Sequence, residues 1–113
     1  MAVTITIGAN DYDSLESVAN ADIYFGGRMN VTEWDALLAD AKGKALVTAS
    51  RMMDRLRWAG AKADDAQPLE WPRVNFTGRN GVAVVASTTP ADVVTGFYEL
   101  ALALVKNASA QEN

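Results

Sequence analysis

At 113 residues, half of them apolar, 21% charged and 8% aromatic, the chain has the make-up of one globular domain, not of a disordered segment. It has no cysteine and no histidine, which excludes disulfides, thiolate sites and the commonest general base and metal ligand. Ten basic against fourteen acidic residues leave a net charge of −4, so a wholly basic nucleic-acid footprint is excluded, though a local patch is not. No signal-peptide pattern opens the chain, and no apolar run reaches the roughly 18 residues of a membrane span. A small, soluble, cytosolic-type domain is expected.

Val3-Thr4-Ile5-Thr6-Ile7 alternates β-branched apolar and hydroxyl residues and stops at Gly8, the pattern of a short half-buried strand or extended arm. Such a strand needs a partner, either a hairpin in this chain or the edge of a neighbouring subunit. Ser17 then caps a helix carrying Val18, Ala21, Tyr24 and Phe25, which ends at Gly26-Gly27 with a glycine in the left-handed conformation. A helical turn follows over residues 33–38, with Thr32 as its cap.

Asp40 caps a third helix predicted from Ala41 to about Trp58 and closed by Gly60. On a helical wheel Ala45, Leu46, Ala49, Met52, Met53 and Leu56 span about 120°, opposite Lys44, Arg51, Asp54 and Arg55. Val47 falls near the middle of that polar side. Residues 61–89 differ in kind. Pro68 and Pro72 bracket an extended Leu69-Glu70-Trp71, and Asn80-Gly81 suggests a hairpin joining Val74-Asn75-Phe76 to the stretch from Gly81 to Val85. Thr89-Pro90-Ala91-Asp92 opens a last helix running to about Lys106. Its apolar side covers about 200°, with only Asp92, Thr95, Glu99 and Lys106 marking the wet side, so it is either central or shared with another chain. The expected organisation is one domain: an extended arm over 1–13, a helical core over 17–106 and a flexible tail over 107–113. The fold class is mainly α, a small bundle of about four helices with the N-terminal strand and the hairpin around 74–85.

Catalysis is hard to assemble from these residues. Asp11/Asp13 and Asp64-Asp65 are paired carboxylates, but neither pair lies in an apolar pocket by pattern, and solvated turn residues explain them better. No enzyme, metal site or cofactor is expected. The basic stripe Lys44, Arg51 and Arg55, with Arg57 and Trp58 at its end, is the more serious candidate. Arginine beside an aromatic suits backbone tracking and base stacking of single-stranded DNA.

The order of short motifs resembles a known family. Ala21-Asp22-Ile23-Tyr24-Phe25 is followed by Trp34-Asp35, then by a long helix ending in Asp54-Arg55-Leu56-Arg57-Trp58-Ala59-Gly60, then by Leu69-Glu70-Trp71-Pro72-Arg73 and a proline-initiated last helix. From about residue 12 to residue 106 this resembles the head–tail connector, adaptor or head-completion proteins of tailed phages and prophages. Some relatives carry the label "DnaT-like single-stranded-DNA-binding protein". The stretch from Val74 to Thr88 is longer and more β-like than that family's pattern, and Asn20 stands where an acid would complete a capping box.

The resemblance implies a structural virion protein of the phage neck, assembled in the host bacterial cytoplasm. It would form a homo-oligomeric ring, commonly of twelve copies, between the portal protein and a tail-completion or tail-terminator protein. Double-stranded DNA would pass through without sequence-specific binding, and no membrane is involved. In that reading Phe25, Trp34, Leu56, Trp58, Trp71 and Phe97 form the core, while Val47, Arg73, Phe76, Tyr98 and Leu102 are candidates for contacts between subunits or with partners. The alternative is a single-stranded-DNA-binding module acting through Lys44, Arg51, Arg55 and Arg57.

Overall fold

The alternation at the N-terminus finds its partner within the chain. In the structure, a computed structural model that describes residues 2–58, 60–74 and 89–111, β1 (Val3–Ile7) pairs antiparallel with β2 (Asn10–Ser14). Gly8, with φ +64°, takes the first central position of the two-residue turn, where a side chain would be strained. Ile5 lies opposite Tyr12 and Thr6 opposite Asp11. Tyr12 and Ser14 therefore face inward with Ile5, while Thr4, Thr6, Asp11 and Asp13 face solvent. The Thr6 hydroxyl donates to Asp11 Oδ1 across the outer face at 2.6 Å.

Ser17 caps α1 (Val18–Gly26) by accepting the Asn20 amide, and Ala21 and Phe25 are buried. The helix leaves through Gly27 at φ −102°, and the backbone becomes left-handed only at Asn30. The short α2 (Thr32–Asp35) begins after Val31, so Thr32 lies inside its first turn and does not cap it. Trp34, fully buried, packs against Phe25 at a tilt, with ring centroids 4.6 Å apart.

Helix α3 (Ala39–Asp54) starts after Leu38 and has no side-chain cap, so Asp40 sits in its first turn, where a carboxylate favours the helix dipole. It stops four residues short of Trp58 for a physical reason. The Trp58 indole N–H donates to the Met53 carbonyl at 2.9 Å, and to reach it the backbone must leave the helix and fold back. Arg55 and Leu56 make the turn, and Leu56, expected in the core, is left exposed.

The loop after α3 has little ladder. Two-residue strands β3 (Ala61–Lys62) and β4 (Arg73–Val74) pair antiparallel, and the Trp71–Pro72 peptide bond is cis. Leu69 and Trp71 turn inward and are buried, and Trp71 meets Trp58 edge-on at 5.1 Å. Val74 thus pairs with Ala61; the remainder of the hairpin expected over 74–85 lies outside the described residues.

Helix α4 (Ala91–Gln111) continues past the expected end at Lys106 into the segment expected to be a flexible tail. Ala108, Ala110 and Gln111 favour helix, and extending a formed helix needs no new nucleus. At its start the Pro90 carbonyl accepts the Val93 and Val94 amides, while the Thr89 hydroxyl, the expected cap, finds no partner among the described residues. The broad apolar side of α4 is covered from within the chain: it packs on α3 and α2, and Tyr98 stacks on Tyr24 of α1. Among the described residues, four helices with a small antiparallel hairpin make a mixed α/β fold, not the mainly helical bundle expected.

Candidate functional site

Helix α3 is buried over a wider arc than its own wheel suggests. Leu46, Ala49 and Met53 belong to the core, while Gly43, Val47 and Ser50 sit against the hairpin side. A Cβ on Gly43 would lie 2.9 Å from Ile5 Cγ2, so only glycine lets the two elements approach this closely. Ser50 joins them, accepting the Leu15 amide at 3.0 Å and donating to the Leu46 carbonyl at 2.9 Å.

Along the edge of this junction runs an open groove of about 190 Å³, lined by Ile7, Tyr12, Lys44, Val47, Thr48 and Arg51. That is below the volume of an ordinary small-molecule pocket. Its chemistry is cationic and aromatic. The Arg51 guanidinium lies over the Tyr12 ring at 5.8 Å, and Lys44 and Arg51 make no ion pair among the described residues. The hairpin carboxylates Asp11 and Asp13 point away from it.

The structure thus separates the expected stripe. Lys44 and Arg51 border the groove, whereas Arg55 and Arg57 stand exposed beyond the end of α3. Trp58, expected to stack beside Arg57, is turned inward onto Trp71. The aromatic that the stripe does meet is Tyr12, which the sequence reading does not single out; the one β-prone side chain within Asn10–Ser14, Tyr12 itself, is the available signal.

Among the residues expected to meet other subunits, Val47, Tyr98, Leu102 and Arg73 are buried within the chain, and Phe76 lies outside the described residues. Val47 is covered because the hairpin occupies what the wheel alone marks as the polar side. Arg73 is tied into its own loop, donating to Glu70 Oε1 at 2.7 Å and to the Gly60 carbonyl at 3.0 Å. Of the core residues, Phe25, Trp34, Trp71 and Phe97 are buried and Trp58 is half-buried.

Most of the motif residues act inside the fold. Asp22 accepts the Trp34 indole N–H and Lys42 Nζ, both at 2.9 Å. Burial alone would raise its carboxyl, but the two donors outweigh it and hold the group below its ordinary value. Glu99, read from sequence as a solvent-side residue, clamps α4 to α1. It takes a fork from Arg28 at 2.7 and 2.8 Å and the Tyr24 hydroxyl at 2.5 Å. The Arg28 hydrogen bonds hold its carboxyl below the usual range against a weaker push from burial. That bond to Glu99, then burial, raises the Tyr24 phenol, and burial pushes Tyr98 up to about 12. Asp54 accepts the Glu70 amide at 3.1 Å, and its carboxyl is raised by burial. Five motif residues have no such role: the side chains of Ile23, Asp35, Arg55, Leu56 and Arg57 are exposed and make no hydrogen bond or ion pair among the described residues.

The paired carboxylates are turn and rim residues. Asp64 Oδ1 accepts the Ala66 amide, and Asp11 holds Thr6. Among the described residues no three acidic side chains are grouped to hold a metal ion, and no helix is long and apolar enough to cross a membrane.

A family model described as "Putative DnaT-like ssDNA binding protein" matches residues 1–113. No curated protein and no solved structure matches the chain.

Proposed function

From the premise that the chain belongs to this family of DnaT-like ssDNA binding proteins along its whole length, we propose that it is a structural subunit of a phage neck. It assembles with copies of itself into a ring between portal and tail, extends the DNA channel and offers the tail a docking surface. The neck assignment rests on the resemblance of the motifs at residues 21–25, 34–35, 54–60 and 69–73. The observation that carries self-association is the surface. With a complete core, the chain still leaves Ile23 77%, Met29 81%, Leu38 82% and Leu56 57% exposed. A ring subunit needs two different contact surfaces, one for each neighbour, and Leu38 and Leu56 lie at opposite ends of α3.

The test is mass photometry of the purified chain, alone and with the portal protein of the same genome, at about 150 mM salt, where non-specific phosphate binding is already weak. Ring-sized particles or portal-bound assemblies are the expected result. A chain that stays monomeric in both samples overturns the reading.

The groove favours one other reading, which the family description also supports: binding of single-stranded DNA, with a base on Tyr12 and phosphates on Lys44 and Arg51. A labelled oligonucleotide in the same experiment separates the two. Affinity that falls steeply with salt and disappears in Lys44→Glu with Arg51→Glu would establish the second reading.

A further inference from the structure

The two ends of α3 carry matched surfaces. At its start Leu38 is the most exposed large apolar side chain described, and Asp35 and Asp40 flank it, both exposed. Just past its end Leu56 is exposed between Arg55 and Arg57, again both exposed. One end is a leucine between two carboxylates, the other a leucine between two guanidiniums. None of the four charged side chains has an ion-pair partner among the described residues. Neighbouring charges that could have cancelled them are engaged elsewhere: Lys42 with Asp22 at the first end, Asp54 and Glu70 with the loop at the second.

Single exposed leucines are ordinary on protein surfaces. The helix dipole also accounts for Asp40 in the first turn and for Arg55 at the last. It does not account for Asp35 and Arg57, which lie outside α3, nor for the leucine at the centre of each group. Of the motif residues left without an internal role, Asp35 falls in the first group, Arg55, Leu56 and Arg57 make up the second, and Ile23 alone lies in neither.

We propose that these two surfaces are the two halves of the contact between successive copies of the chain. Arg55-Leu56-Arg57 of one copy seats on Asp35, Leu38 and Asp40 of the next. This rests on the ring reading and names its interface. A sixteen-residue helix separates the halves by about 24 Å, so no copy can join its own ends. Between them the exposed side of α3 carries Lys44 and Arg51. Laying two copies antiparallel along α3 would therefore set cation against cation, whereas end-to-end succession sets each acid beside an arginine. Helix α3 then runs around the ring and not along the channel.

The experiment uses two charge-reversed full-length chains, Arg55→Glu with Arg57→Glu and Asp35→Lys with Asp40→Lys. All four sites are exposed and unpaired, so both variants should fold, melting slightly below the wild type because Asp40 and Arg55 lose their favourable place in the helix dipole. In mass photometry, with and without portal, each variant alone should lose the assemblies that wild type forms. An equimolar mixture should regain them, because one variant then presents two acidic ends and the other two basic ends. Leu38→Ser and Leu56→Ser should each weaken wild-type assembly, and rising salt should weaken it further.

Variants that assemble like wild type overturn this contact and leave the ring reading standing. Wild type that never exceeds monomer mass overturns both. A wild-type dimer lost in each variant and regained in the mixture upholds the contact and overturns the ring. Loss of oligonucleotide binding in Arg55→Glu with Arg57→Glu, with assembly unchanged, assigns these arginines to DNA and overturns the contact.

Discussion

The hairpin over residues 3–14 and the loop over residues 55–74 both cover α3, and they are held by opposite means. The hairpin is a regular ladder whose backbone groups satisfy one another; α3 gives it a flat place at Gly43, and the Ser50 hydroxyl holds the Leu15 amide just past its end. The loop has a ladder of two residues on each side, so its side chains must satisfy its backbone. Gln67 Nε2 donates to the Leu69 and Pro72 carbonyls at 2.8 Å each, Asp54 accepts the Glu70 amide, and Arg73 covers the Gly60 carbonyl. The hairpin therefore tolerates many sequences with the right alternation, while the loop demands particular residues.

Substitutions at four positions test that contrast. The largest effect is expected for Trp71→Ala, which empties the core beneath the loop and should cost about 3–5 kcal/mol in denaturant unfolding. Hydrogen exchange should quicken throughout residues 55–74 and change little in the hairpin. Gly43→Val comes next, at about 1–3 kcal/mol, because the added methyls meet the stiff β-branch of Ile5. There the hairpin amides should lose protection and the loop should keep it. If both regions respond alike to either change, they form one cooperative unit and the contrast fails.

Ser50→Ala should cost about 1–2 kcal/mol by leaving the buried Leu15 amide without its acceptor. Ser50→Thr, which keeps an acceptor oxygen, separates this loss from simple changes in packing. The smallest effect belongs to Asp54. Its folded pKa is raised, so the folded state binds protons more tightly than the unfolded chain. This group adds stability as pH falls through its folded pKa, and the gain levels off below the unfolded value near 3.8. Asp54→Asn keeps the acceptor for Glu70 and should remove that gain. Glu99, whose pKa is lowered, acts in the opposite sense: its contribution is present above about 4.5 and lost as pH falls through its folded value. The acid limb of a stability curve should therefore steepen in Asp54→Asn and flatten in Glu99→Gln.

Local signals in the sequence were read well where one residue decides the geometry. Ser17 as a cap, Phe25 and Trp34 as core and Val3–Ile7 as a strand needed no knowledge of the rest of the chain. The partner strand was hidden because Asn10, Asp11, Asp13 and Ser14 all disfavour strands, leaving Tyr12 as the sole positive signal. That omission propagated. Without the hairpin the wheel of α3 places Val47 on a polar side, and the Tyr12 wall of the groove cannot be inferred at all. The end of α3 was misplaced because its stop is a contact between Trp58 and Met53, not a glycine or proline at the boundary. Glu99 departs from its wheel position for the same kind of reason: its partner Arg28 lies 71 residues away, and no local pattern encodes it.

The arrangement of the three tryptophans also makes the molecule its own optical reporter. Trp34 is enclosed among α1, α2 and α4, with its indole N–H fixed on Asp22, and it senses the helical core alone. Trp58 and Trp71 stand edge to face at 5.1 Å, close enough for their transitions to couple, and sense the loop alone. Near-ultraviolet dichroism should therefore contain a signal from the pair that vanishes when the loop opens, while the emission of Trp34 still reports an intact core. One unlabelled sample can thus show whether assembly on a partner disturbs the loop, the helices or neither.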